Sequence, residues 1–228
     1  MHALFFGVGV FGKRRYGSSP FVLSASITLA ARTVEPGPGP CSLFQKSVAG
    51  TGHMTGKENE RAALWSGEER SGRIFAGGRN LEAATHGLVP GCGPTLVLLH
   101  EGLGCVALWK DFPEALAAAT GCGVFAYSRA GYGSSEPCAL PRPLDYMTRE
   151  AVDVLPEVLK AAGADEIVLI GHSDGASIAA LHCGMVRDPR VRGLVLMAPH
   201  FFTEGMGLKS IAEARMAYAE TDLRGRLA

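Results

Sequence analysis

Short apolar runs alternate with helix-like segments between residues 94 and 199 of the chain. A short, uninterrupted apolar run is typical of a strand that is buried on both faces. Strands that alternate with helices form βαβ units, so the pattern predicts a mostly parallel sheet with helices on both faces. The glycine pair Gly77-Gly78 predicts the turn of an antiparallel hairpin before the first run, and Pro156 predicts a kink or a new first turn in a long helix. The predicted buried strands cover residues 94–100, 122–128, 165–171 and 191–199, and the predicted helices cover residues 108–121, 144–164 and 174–188.

The motif Gly171-His172-Ser173-Asp174-Gly175 lies between the third buried run and the helix that follows it. A G-x-S-x-G sequence in this context is typical of a nucleophile elbow, which presents a serine hydroxyl above the carboxyl end of a sheet. The start of the helix favours negative charge that develops beside the serine. A turn without a catalytic role is the alternative. The context favours Ser173 as a nucleophile, which needs a base because a serine hydroxyl stays protonated near neutral pH.

A second motif, HEGLG at residues 100–104, closes the first buried run. An acyl-transfer site needs two backbone N–H groups directed at the oxyanion. We expect one from Asp174, directly after the serine, and the other from Gly102 in this loop, with Leu103 as the alternative donor.

The same loop allows another interpretation, since residues 102–107 match the dinucleotide-binding pattern G-x-G-x-x-A. This interpretation is disfavoured because His100 and Glu101 separate the strand from the glycines. The next strand also ends in Ser128-Arg129 rather than in an acid for a ribose. We therefore expect no cofactor, and we expect His100 to brace the oxyanion loop and Glu101 to polarise it or to contact the substrate.

A third motif, SRAGYGSS at residues 128–135, has Gly131 and Gly133 at positions that suit a tight loop beside the elbow. In this order, the three motifs H-x-G-x-G, R-x-G-x-G-x-S and G-x-S-x-G resemble the α/β-hydrolase superfamily over residues 73–228. The resemblance implies an α/β fold: a mostly parallel α/β-hydrolase sheet of eight strands with flanking helices. This chain departs from the family pattern at Ser128, where the family usually has Asp, and at Glu101, where it usually has Gly.

The resemblance also implies a catalytic acid after the seventh strand and a histidine after the eighth. When the hairpin is counted as two strands, residues 191–199 are the sixth strand, and residues 200–228 show a polar, helical pattern with no further strand. We therefore expect a sheet that is incomplete at the C-terminus, without its last two strands and without the usual acid and histidine. His200 and Glu204 are the possible substitutes for the base and the acid.

The resemblance implies a serine hydrolase that cleaves an ester or a related acyl bond of a small-molecule substrate through an acyl-Ser173 intermediate. We interpret the chain as the N-terminal part of such an enzyme and expect it to be nearly inert, because a serine without its histidine loses general-base catalysis. The alternative is a non-catalytic binding or interaction protein that uses the remaining pocket or the open sheet edge. An apolar edge at residues 193–197 also predicts self-association.

The composition divides the chain into three parts. Residues 1–70 are rich in breakers and lack periodicity, so we expect a poorly ordered N-terminal extension, with Met54 as an alternative start. Residues 71–207 are the expected hydrolase core, and residues 208–228 are the expected start of a lid helix at Leu208.

The net charge and the spacing of the cysteines limit which classes of partner and which cellular location we expect. Lys plus Arg and Asp plus Glu both number 22, so the formal net charge is zero, which argues against a nucleic-acid or membrane-surface partner. The 6 cysteines show no C-x-x-C pair and no spacing that suits a metal. We therefore expect reduced thiols, no metal site and a cytoplasmic location.

Overall fold

The computed structural model describes residues 64–65, 70–202 and 205–222. Its centre is a 6-stranded sheet with the strand order β1-β2-β4-β3-β5-β6. The predicted hairpin and all four predicted buried strands are present. The strands are β1 Ser71–Ala76, β2 Arg79–His86, β3 Thr95–Leu99, β4 Gly123–Tyr127, β5 Ile167–His172 and β6 Val191–Met197.

The helices fall where the apolar spacing predicts them. The predicted long helix at residues 144–164 is divided by a π-helical turn, Glu150–Val154. Pro156 lies in the first turn of the helix that follows this turn, as its missing N–H allows. The helices are α1 Phe112–Thr120, α2 Tyr146–Arg149, α3 Leu155–Ala162, α4 Asp174–Met185 and α5 Gly205–Glu220, and a 3₁₀ turn covers Val106–Trp109.

The sheet register brings the three motifs to one edge. Strands β3, β4, β5 and β6 are parallel, whereas β1 and β2 run antiparallel to their neighbours. Leu99 pairs with Gly171, and His172 pairs with Met197. The residues that follow β3, β4, β5 and β6 therefore meet at the carboxyl edge, where ligands bind in open α/β sheets.

Successive residues of the strands face opposite sides of the sheet and form two hydrophobic cores. One face of the sheet packs residues such as Val97 and Leu169 against α3 and α4. The other face packs Leu98 and Ala126 against α1. Helices thus cover both faces, which explains why the central strands are almost continuously apolar.

Two residues of the expected N-terminal extension belong to the core. Trp65 is 2% exposed, and its indole N–H donates to the carbonyl of Ala162 at 3.1 Å. The carbonyl of Leu64 accepts from the hydroxyl of Thr85 at 2.7 Å. The expectation of poor order is therefore wrong for Leu64 and Trp65, because an indole and a leucine find apolar partners far along the chain. Residues 1–63 and 66–69 lie outside the described residues.

The expectation about the cysteines also needs correction. Cys92 is disulfide-bonded, so it is not a reduced thiol. Four others are free: Cys105, Cys122, Cys138 and Cys183.

Strand β6 is the last strand of the sheet as described, and its only strand neighbour there is β5. Leu194 on this strand is exposed, and α5 presents exposed apolar residues, among them Leu208 and Ile211. Self-association through this edge stays a prediction. None of the helices within the described ranges has both the length and the apolar character needed to cross a membrane.

Candidate active site

Ser173 lies at a sharp turn between β5 and α4. Its backbone has φ 54° and ψ −116°, a strained conformation for a non-glycine residue. Its N–H donates to the carbonyl of Met197 at 2.8 Å, which anchors the turn to β6. A side chain at Gly171 would place Cβ 2.4 Å from the carbonyl oxygen of Gly175, and one at Gly175 would place it 2.1 Å from that of Leu99. Both glycines of G-x-S-x-G are therefore required by close packing at this turn.

His200 lies beside Ser173. Ser173 Oγ lies 2.6 Å from Nε2 of His200. A neutral imidazole with its proton on Nδ1 accepts a hydroxyl proton at this distance. Of the seven histidines that the sequence offers, His200 is the one in contact with Ser173 in the described part of the chain.

The turn after β6 fixes the position of His200. Ala198 has φ 49°, a left-handed conformation that non-glycine residues adopt rarely and that often marks a functional turn. The N–H of His200 donates to Ser177 Oγ at 2.9 Å. This bond ties the turn to α4, the same helix that follows the nucleophile, so Ser173 and His200 are held against one framework.

No carboxylate forms a hydrogen bond or an ion pair with His200 in residues 64–65, 70–202 and 205–222. The proposed acid, Glu204, lies outside the described residues, so its role stays a prediction. The described arrangement is a serine–histidine pair in which the histidine is exposed.

The HEGLG loop, in which the sequence predicts an oxyanion donor, follows β3 and faces the start of α4. Asp174 is the first residue of α4, where a backbone N–H has no partner within the helix. Gly102 lies against it, since a Cβ at Gly102 would come within 2.9 Å of Asp174 Oδ2. The N–H of Leu103 donates to Glu101 Oε2 at 2.5 Å. This bond occupies the Leu103 donor and leaves Gly102 as the better candidate of the two.

The carbonyl of Glu101 controls the direction of the Gly102 N–H. It accepts hydrogen bonds from Arg129 Nη2 at 2.8 Å, from the N–H of Gly104 at 3.2 Å and from His100 Nδ1 at 2.7 Å. The C=O of Glu101 and the N–H of Gly102 belong to one planar trans peptide, so they point in opposite directions. Three donors on the carbonyl therefore fix the orientation of the amide on its other side.

His100 is a neutral brace. The N–H of Arg129 donates to its Nε2 at 3.0 Å, so the ring proton is on Nδ1, the atom that donates to Glu101. Burial, together with the neighbouring Arg129 guanidinium, lowers the pKa of His100 from 6.5 to about 3. His100 therefore stays uncharged at ordinary pH and does not contact Ser173.

Arg129 is a residue whose role the sequence did not reveal. It is fully buried, and Nη1 donates to the carbonyl of His100 at 2.6 Å beside its bond to Glu101. The R-x-G-x-G-x-S motif marks its position, but a motif alone does not show that its guanidinium binds the carbonyls of two residues of the oxyanion loop.

The glycine loop after β4 packs closely, as predicted. Gly131 and Gly133 have φ 83° and 52°, and a Cβ at Gly133 would come within 2.1 Å of Glu82 Oε2. Ser128, where the family usually has Asp, donates from Oγ to the same Glu82 carboxylate at 2.6 Å and accepts from the N–H of Val106 at 2.8 Å. Glu82 on β2 thus brings a carboxylate to this position from a neighbouring strand.

The dinucleotide interpretation of residues 102–107 does not fit this loop. A phosphate-binding fingerprint needs a helix that begins at its glycines. Instead, the loop continues into the 3₁₀ turn at Val106–Trp109, and α1 begins only at Phe112. Among the described residues, no group of three or more His, Cys, Asp or Glu side chains is arranged to hold a metal ion.

A known family matches both the sequence and this fold. The model of a family described as "Alpha/beta hydrolase family" matches residues 96–228, which is more than half of the chain. The chain belongs to the alpha/beta hydrolase family. The mostly parallel sheet of 6 strands with flanking helices is the part of this fold that the structure contains.

Relatives of this alpha/beta hydrolase have several activities. Over 138 residues the chain is 29% identical to epoxide hydrolase 2 of Siraitia grosvenorii. The matched region covers 60% of this chain and 41% of that protein. Over 120 residues the chain is 28% identical to a proline iminopeptidase of Heyndrickxia coagulans. The matched region covers 48% of this chain and 36% of that protein. The structure of epoxide hydrolase I from potato (Solanum tuberosum) aligns with a TM-score of 0.50 at 23% identity, covering 62% of this chain and 45% of that chain.

The alpha/beta hydrolase spans less than half the length of these relatives. At such identities the likeness to the potato structure shows the fold alone, and the relatives differ in what their names say they act on. The choice of reaction therefore depends on the site itself.

Proposed function

We propose that the protein is a serine hydrolase that cleaves an ester or a related acyl bond of a small molecule through an acyl-Ser173 intermediate. The observation that supports this proposal best is the 2.6 Å distance between Ser173 Oγ and His200 Nε2 at a strained elbow. A nucleophile with a base within hydrogen-bond reach is the common signature of covalent acyl transfer.

In the proposed reaction, His200 Nε2 takes the proton of Ser173 as Oγ attacks the acyl carbon. The N–H groups of Asp174 and Gly102 stabilise the oxyanion of the tetrahedral intermediate. His200 then gives its proton to the departing alcohol. A water molecule, activated by the same imidazole, attacks the acyl-serine and restores the free hydroxyl.

Serine chemistry favours an acyl substrate over an epoxide. Attack of Ser173 Oγ on an acyl carbon forms an ester, which water can cleave to regenerate the enzyme. Attack of the same oxygen on an epoxide carbon forms an ether, which does not hydrolyse under mild conditions. We therefore propose ester-type hydrolysis here even though several relatives are named epoxide hydrolases.

We propose that the catalytic rate of ester hydrolysis by this protein is low. A carboxylate on the distal nitrogen of the imidazole holds the correct tautomer, and losing that function lowers kcat by about 10⁴ in serine proteases. His200 has no such partner among the described residues. We therefore expect a nearly inert protein, with only slow turnover through the serine–histidine pair.

The test is hydrolysis of p-nitrophenyl acetate by the full chain, with Ser173→Ala as the critical variant and Ser134→Ala as the matched control. Ser134 is an exposed serine on the glycine loop. We expect a stoichiometric burst of p-nitrophenol, followed by slow release, in the wild type and in Ser134→Ala. Loss of the burst in Ser173→Ala alone supports the proposal. Equal release by Ser173→Ala contradicts it and favours the alternative, a non-catalytic binding protein.

A further inference from the structure

The Asp174 carboxylate is held between two groups at the oxyanion loop. One of its oxygens, Oδ2, accepts a hydrogen bond from the hydroxyl of Tyr146. The same carboxylate packs on Gly102, whose absent Cβ would lie within 2.9 Å of Oδ2 and 3.2 Å of Cγ. The side chain of Asp174 therefore lies beside the two amides that we propose for the oxyanion, which are its own and that of Gly102.

Tyr146 is well placed to hold this carboxylate. It is the first residue of α2 and is half-buried, and the guanidinium of Arg142 lies 5.5 Å from the centre of its ring. Burial and the hydrogen bond to Asp174 raise the pKa of Tyr146. The hydroxyl therefore keeps its proton and acts as a donor at every pH at which the protein would be assayed.

An unrestrained aspartate at this position would compete with the substrate. The carboxylate of an aspartate at a helix start readily accepts from free backbone N–H groups nearby. Here the free N–H groups are the ones that the oxyanion needs. A carboxylate bound to them would block the site and would also repel the developing negative charge.

We propose that Tyr146 is a positioning residue of the oxyanion hole, which holds the Asp174 carboxylate away from the N–H groups of Asp174 and Gly102. This inference rests on the proposed function, since it assumes that those N–H groups stabilise an oxyanion at Ser173. Tyr146 acts through Asp174 and does not touch the reacting atoms. Its removal should therefore slow attack by Ser173, and removal of the competing carboxylate should restore it.

The test follows phosphonylation of the full chain by a small alkyl fluorophosphonate. Ser173 Oγ forms a bond to phosphorus, the P–F bond breaks, fluoride leaves, and the serine proton passes to His200 and then to solvent. The phosphoryl oxygen of the transition state needs the same N–H donors as an oxyanion. Since the reaction stops after one turnover, it does not require a complete triad, and peptide mass spectrometry identifies the labelled residue.

We expect Tyr146→Phe to lower the labelling rate by about 10-fold or more, because even one obstructed donor weakens an oxyanion hole. Tyr132→Phe is the matched control, since it also removes the hydroxyl of a tyrosine whose ring lies against the Arg142 guanidinium, and the Tyr132 hydroxyl makes no hydrogen bond in the described part of the chain. Its labelling rate should equal that of the wild type. The thermal unfolding midpoint of each variant shows whether the fold is kept.

The decisive variant combines Tyr146→Phe with Asp174→Ala, which keeps the backbone N–H of residue 174 and removes the carboxylate. We expect labelling within about 3-fold of the wild type, since coupled residues have non-additive effects. An unchanged rate in Tyr146→Phe, or a slow rate that Asp174→Ala does not restore, overturns the inference. A wild type that is not labelled at Ser173 overturns the proposed function, and the inference with it.

Discussion

Ser173 Oγ lies 2.6 Å from His200 Nε2 although the two residues are 27 positions apart in the sequence. The sharp turn at Ser173 after β5 and the left-handed turn at Ala198 after β6 bring them together. Because β5 and β6 are parallel neighbours, both side chains reach the same edge of the sheet. The contact therefore depends on the sheet topology as well as on the two local turns.

Replacement of His200 by Ala should slow the acylation of Ser173. General-base catalysis contributes about 10²–10⁴ in rate, so the p-nitrophenol burst of His200→Ala should slow by this factor. Imidazole added to the solution should restore part of the rate. His86→Ala, a histidine on β2 far from the elbow in the sheet, is the control and should behave like the wild type. An undiminished burst in His200→Ala would show that His200 is not the base.

Gly102 should tolerate no side chain. A Cβ at this position would meet Asp174 Oδ2 at 2.9 Å, so Gly102→Ala should displace the loop and lower the acylation rate by about 10². The control is Gly207→Ala on α5, where a Cβ meets nothing within 4 Å. The comparison is made by burst kinetics on both variants. Equal rates would remove the Gly102 N–H from the proposed oxyanion hole.

His100 should make the free energy of unfolding depend on pH between about pH 3 and pH 6.5. Its pKa is about 3 in the folded protein and 6.5 when unperturbed, so between these values the unfolded chain binds a proton that the folded chain does not. The contribution is fully present above pH 6.5 and is lost as pH falls, by about 1.4 kcal/mol for each pH unit, until about pH 3.

Urea unfolding at several pH values measures this effect, because His100→Gln lacks the titrating group. The difference in free energy of unfolding between the wild type and His100→Gln should shrink as pH falls below 6.5. A difference that is constant with pH would mean that His100 has the same pKa in the folded and the unfolded chain, which contradicts its role as a buried, neutral acceptor for Arg129.

We expect the N-terminal region to divide into a part that is dispensable for stability, residues 1–53, and a part that stabilises the core, Leu64 and Trp65. Under reducing conditions, which open the disulfide of Cys92, removal of residues 1–53 should leave the unfolding midpoint unchanged, as their aperiodic sequence predicts. Trp65→Ala should lower the free energy of unfolding by about 3–5 kcal/mol, since Trp65 is 2% exposed and large-to-small changes in a core leave a cavity. Chemical denaturation of both proteins tests this. A large loss from the deletion, or none from Trp65→Ala, would contradict the division.

Local patterns predicted the strands, the hairpin and the sharp turn at Ser173 because each depends on residues that are adjacent in the sequence. The sequence marked His200 only as one possible base, since its contact with Ser173 depends on how the turn at Ala198 directs the chain. Tyr146 gave no signal, because its partner Asp174 is 28 residues away and no motif joins them. Trp65 was misassigned for the same reason: its hydrogen-bond partner Ala162 is 97 residues away.

The most direct test of the account is to trap the acyl intermediate. The full chain is mixed with p-nitrophenyl acetate and quenched in acid, and its peptides are analysed by mass spectrometry. We predict an acetyl group on the peptide that contains Ser173, at high occupancy in the wild type and at much lower occupancy in His200→Ala at the same early time. Release of p-nitrophenol with no acetyl group on Ser173, or equal acetylation in both proteins, would contradict a Ser173 nucleophile that is activated by His200.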